Sequence, residues 1–130
     1  MSDYIKHIEI EEAFIGIRHD GIMHIHIKVR QNFDLEHSKK IVSARTKLAD
    51  GKAYPILYTT EGGLVTPSAE AKKFIASEKR SILVVADAFV VKSLPQRIAA
   101  KIYTSFNQPS RPVKFFSKKE EAIKWLKEFV

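Results

Sequence analysis

The sequence predicts one α/β domain: a β-hairpin, then three helix–strand units and a closing helix, on a mainly parallel sheet. Three observations carry this. "AFIGIRHDGIMHIHIKV" is β-rich on both sides of Asp20-Gly21. Beyond it, stretches of helical period alternate with short apolar runs. "SILVVADAFVV" is apolar almost throughout, as expected of a parallel strand buried on both faces.

Each element has its own signal. Asp20-Gly21 predicts a two-residue type I′ turn, whose central residues both need positive φ. That register sets His19 against Ile22, Ile17 against His24 and Ile15 against His26. The earlier run "YIKHIEI" extends or precedes the first strand. Leu35, Ser38, Ile41, Val42, Arg45, Leu48 and Ala49 recur at helical spacing, with Asn32 or Asp34 as cap and Gly51 as the C-terminal stop. "AYPILYTT" reads as a strand. "TPSAEAKKFIASE" reads as a helix with Thr66 as N-cap and Pro67 at its first position. "SLPQRIAAKIYTSF" is a helix whose Ile98, Ile102 and Phe106 form the apolar stripe. "PVKFF" is the last strand, and "SKKEEAIKWLKEFV" a helix opened by a Ser117–Glu120 capping box.

Composition narrows the class. The 130 residues suit one core. The absence of cysteine removes disulfides, thiolate chemistry and cysteine-ligated zinc. No apolar run approaches the roughly 20 residues that span a bilayer, and "MSDYIKHIEIEE" is too charged for a signal peptide, so a cytoplasmic location is expected. The formal charge of +7 falls unevenly. Residues 1–65 hold nine Lys/Arg and nine Asp/Glu, whereas residues 66–130 hold thirteen and six. Without an arginine-rich run or an RNA-binding aromatic motif, this asymmetry reads as solvated helix faces, and nucleic acid is not the expected partner.

The chemical motifs are sparse. His24 and His26 share one strand face, and His19 joins them in the I′ register, but no third ligand is placed; the expected arrangement is a solvent-facing polar stripe of His24, His26 and Lys28, with no metal. "EGGLVT" lacks the spacing of a phosphate loop. Asp87 is expected to cap or to sit in a loop at a strand end. No nucleophile–base pair is legible, so neither an enzyme nor a cofactor is expected. The remaining binding candidates are Lys92, Ser93, Arg97 and Arg111, cations and a capping hydroxyl about a helix start that suits a small anion.

The C-terminal half carries a resemblance. Val91 and Ser93, Arg97-Ile98, Asn107-Gln108-Pro109, Pro112-Val113-Lys114-Phe115-Phe116 and Glu121-Ala122-Ile123-Lys124-Trp125-Leu126 follow in order over about forty residues. In these motifs and its element order the chain resembles the STAS, or SpoIIAA-like, domain family, above all the small stand-alone bacterial members. The resemblance implies a regulatory domain that associates with another protein or with a second copy of itself. The alternative is a binding module for a nucleotide, phosphometabolite or lipid head group. Anti-sigma antagonists of that family carry an Asp-Ser pair with a phosphorylated Ser; "TTEGGLVTPSAE" has none, and Thr66 and Ser68 are the hydroxyls at the corresponding helix start.

Overall fold

A computed structural model describes residues 3–29, 33–60, 68–75, 83–91 and 111–130. Strands β1 (Tyr4–Glu9), β2 (Ala13–Arg18), β3 (Met23–Ile27), β4 (Tyr54–Thr60), β5 (Val84–Val90) and β6 (Val113–Phe116) form one sheet in that spatial order. Helices α1 (Leu35–Ala49), α2 (Ala69–Ile75) and α3 (Lys119–Leu126) accompany it, and a 3₁₀ turn, Lys127–Phe129, follows α3. β1–β2 and β2–β3 are antiparallel; β3–β4, β4–β5 and β5–β6 are parallel. The sheet is therefore mixed, with two antiparallel pairings beside three parallel ones, because "YIKHIE" forms a strand of its own outside the hairpin. The expected helix over residues 93–106 lies outside the described residues.

The hairpin register also differs from the expectation. Ile17 faces Met23, Gly16 faces His24, and Ile15 faces Ile25. The loop closes one residue earlier on its first strand, with Arg18 N donating to Ile22 O at 2.8 Å. Of the two turn residues only Gly21 has positive φ, so the mirror-image turn is not made. Asp20 is used differently: its carboxylate takes the Arg18 guanidinium at 2.9 Å and the Ile22 N–H at 3.3 Å.

Side chains alternate across the strands, so each sheet face has its own core. On one face Ile15, Ile17, Met23, Ile25, Ile56 and Tyr58 pack with Ile41, Ala44 and Ala49 of α1 and Ala71 of α2. On the other, Ile22, Leu57, Ala86, Ala88 and Val90 pack with Ala122 and Leu126 of α3. Helix ends follow local chemistry where packing permits. Asp34 caps α1, its carboxylate accepting from His37 N at 3.0 Å while His37 Nδ1 accepts from Asp34 N at 3.1 Å. His37 thus fills the place of Glu in a capping box. α1 ends with left-handed Asp50 and Gly51.

Two expected caps are displaced. Ser68 caps α2, accepting from Ala71 N at 3.1 Å, so the cap falls two residues after Thr66, which lies outside the described residues. α3 begins after Lys118, with no side-chain cap bond. The Ser117–Glu120 box is one residue out of register with the true cap. A cap is worth about 1 kcal/mol, less than fully burying Leu126, so packing decides where the turn starts.

Gly16 is required by a neighbour. A Cβ there would stand 2.5 Å from Cδ1 of the Tyr4 ring, which lies flat over the strand. Gly16→Ala is expected to cost about 1–3 kcal/mol of unfolding free energy, read by urea denaturation, and far less in a Tyr4→Ala background, where the obstructing ring is gone.

Candidate functional site

Lys92, Ser93 and Arg97, three members of the expected anion site, lie outside the described residues. The fourth, Arg111, is described. Its Nε donates to Oδ2 of Asp87 at 2.6 Å, and the two side chains are 7% and 0% exposed. Asp87 occupies the middle of β5, with its backbone N donating to Pro112 O at 2.9 Å. It is neither a cap nor a loop residue, because the strand runs on past it to Val90. The apolar run hides a carboxylate that faces α1 and α2, in line with Ile56 and Val113. Arg45 on α1 is fully buried as well.

A buried pair of this kind is costly to break, because the surviving charge is stranded in a weakly polarisable medium. Asp87→Ala and Arg111→Ala should each lose about 3–5 kcal/mol in urea unfolding, and the double variant should lose less than their sum. Additive losses would show that the two side chains act independently.

The opposite face holds a second polar group. The expected solvent-facing stripe is not there: His24 is only 6% exposed, and His26 is half-buried. The extra strand β1 brings Tyr4 over Gly16 and onto His24, which shields the imidazole. The Tyr4 hydroxyl lies 2.7 Å from His24 Nδ1. His24 Nε2 lies 2.7 Å from Thr59 Oγ1, and so does His26 Nδ1. Tyr4, His24, Thr59 and His26 form one hydrogen-bonded chain across β1, β3 and β4. Tyr4 and Thr59 carry no signal in the sequence beyond their alternation with Ile5 and Tyr58, since the partner strand of each is set by topology.

Burial pulls the pKa of His24 from the ordinary 6.5 to about 4, and the charges of Lys119, His26 and Arg18 act the same way. At neutral pH the ring therefore carries a single N–H: it donates to one hydroxyl and accepts from the other. Burial also raises the Tyr4 pKa, so the phenol keeps its proton. Between pH 4 and 6.5 the unfolded chain binds a proton at His24 that the folded chain refuses. Stability must then rise with pH across that window and level off above it, by on the order of 3 kcal/mol. Urea midpoints at pH 4.5, 5.5 and 7 should follow this slope, and His24→Gln should flatten it.

A third feature is apolar. Phe116 of β6, Trp125 of α3 and Phe129 form a half-buried aromatic cluster, with ring centroids 5.8 and 4.9 Å apart in sequence. Lys114 Nζ stands 5.7 Å from the centre of the Trp125 ring. Among the described residues no group of three or more His, Asp or Glu could hold a metal ion, and no helix is long and apolar enough to cross a membrane.

Residues 15–130 match the model of a family described as "Domain of unknown function (DUF7793)", and the chain belongs to that family. No curated protein matches. A crystal structure of an uncharacterized protein of the DUF3478 family from Shewanella loihica PV-4, with a SpoIIAA-like fold, is similar over 97% of this chain and 98% of that one. The two share 18% sequence identity and a TM-score of 0.59. At that identity the likeness concerns the fold alone, and the fold is SpoIIAA-like.

Proposed function

We propose that this DUF7793 member is a cytoplasmic regulatory domain that works by association, docking on another protein or on a second copy of itself. The observation that carries the reading is the aromatic cluster of Phe116, Trp125 and Phe129, half-buried beside the exposed Lys114. Aromatic side chains of this kind concentrate binding energy when a partner completes their burial. Val130, 68% exposed, extends the apolar surface beyond Phe129.

The commitment of Arg111 favours this reading over a small-anion module. A guanidinium held by a buried carboxylate at 2.6 Å offers little net positive charge to a phosphate. Ser68 and Thr66 remain the hydroxyls through which phosphorylation would regulate docking. Ser68 is exposed, and a phosphate on it would add charge where α2 begins.

The chain has one tryptophan, so its fluorescence reports on this surface alone. Light scattering after size exclusion should give a mass above the monomer, or a complex with an added partner, whose formation shifts Trp125 emission. Lys114→Glu, an exposed change, and Trp125→Ala should weaken the complex by tenfold or more, since central aromatic contacts are worth about 2 kcal/mol. A strict monomer that binds no protein, or a complex indifferent to both variants, would count against association through this surface.

A further inference from the structure

Among the described strands β1 is one of the two edges of the sheet, with β6 at the other, and it pairs with β2. Four of its six residues are exposed, and the exceptions are Tyr4 and Ile8. Its pairing slips between Tyr4 and Lys6, leaving Ile5 61% exposed. Ile8 packs towards the α1 core. On the other face the exposed His7 ring stacks on Phe14 at 5.4 Å, and the half-buried Tyr4 is the deeper hold, its ring pressed on Gly16 and its hydroxyl 2.7 Å from His24 Nδ1.

We infer that β1 is a proton-linked latch: uptake of a proton by the His24 imidazole lifts Tyr4 from Gly16 and frees the edge strand, while β2 to β6 stay paired. The charged and titratable groups around the ring all point this way. Tyr4 from β1 covers it, and Lys119 from α3, His26 from β3 and Arg18 from β2 oppose a positive charge on it. Its partner from β4 is Thr59, which has no charge to offer. An imidazolium in this setting must regain water. Leu57, its register partner on the same face, belongs to the central strand β4 and is fully buried, so the mostly exposed edge strand is the cheapest cover to remove. Opening leaves the outer backbone ladder of β2 unpaired and able to accept another strand.

The inference is independent of the association reading, since its readout is strand opening and not mass in solution. Hydrogen exchange of the backbone amides of the full chain, followed by NMR from pH 7 to 4.5 and corrected for intrinsic rates, tests it. The hydrogen-bonded amides of β1 should exchange faster than the global unfolding measured in urea allows at the same pH. Their protection should fall roughly tenfold per pH unit below about 6, and in His24→Gln that slope should vanish. Should His24→Gln not fold, Tyr4→Phe serves: it keeps the ring on Gly16 but loses the hydroxyl, so β1 protection should drop at pH 7 while the pH slope persists. Exchange of β1 only at the global rate, an unchanged slope in His24→Gln, or unchanged protection in Tyr4→Phe would each overturn the latch.

Discussion

The structure turns on how the sheet is covered on its α3 side. That helix packs on β4, β5 and β6. Among the described residues, the same face along β1 to β3 carries the sheet's own side chains: Tyr4 over Gly16, the Phe14 ring edge-on to Tyr4 at 5.0 Å, and His24 beneath them. Large aromatics can lie flat on a sheet only if the strand below makes room and their polar atoms find partners. Gly16 makes the room. The Tyr4–His24–Thr59–His26 chain supplies the partners. The neutral state of the buried His24 ring and the proposed latch-like attachment of β1 both descend from that one arrangement.

The other face meets a different problem with an ion pair. Asp87 and Arg111 join the middle of β5 to the segment that enters β6, both inside the protein. Such pairs contribute less to stability than their geometry suggests, because desolvation offsets the attraction; what they impose is a cost on any arrangement that separates them. Here that cost ties the entry of the last strand to β5, beside the Tyr58, Phe89 and Phe115 rings stacked at 4.6 and 5.3 Å. The same contact engages Arg111, the one member of the expected anion site among the described residues. The half-buried aromatic cluster by α3 is the surface on which the proposed association rests.

Much of the architecture was legible in the residues. Alternation in "AFIGIR" and "MHIHI", the apolar run through Val85 and Val90, and the helical spacing from Leu35 to Ala49 each placed an element, because period follows directly from backbone geometry. Misreadings came where two local signals competed. Asp20-Gly21 promised a mirror-image turn, but the Asp20 carboxylate bonded Arg18 and Ile22 instead, and the register moved by one. Ser117–Glu120 had the spacing of a capping box, yet the buried positions of Ala122 and Leu126 set the helix start one residue later.

By itself, the sequence determined the described strands and helices from β2 onward and their order, since these depend on neighbours a few residues apart. The tertiary structure alone decided that Tyr4 would lie over His24, twenty residues away, that Thr59 would join two imidazoles, and that Arg111 would find Asp87. Those contacts depend on which strands become neighbours and in what register, and a one-residue slip moves every side chain to the opposite face. Whether a histidine is a solvated base or a buried neutral ring is therefore settled by packing, and the chemistry of this domain follows from that choice.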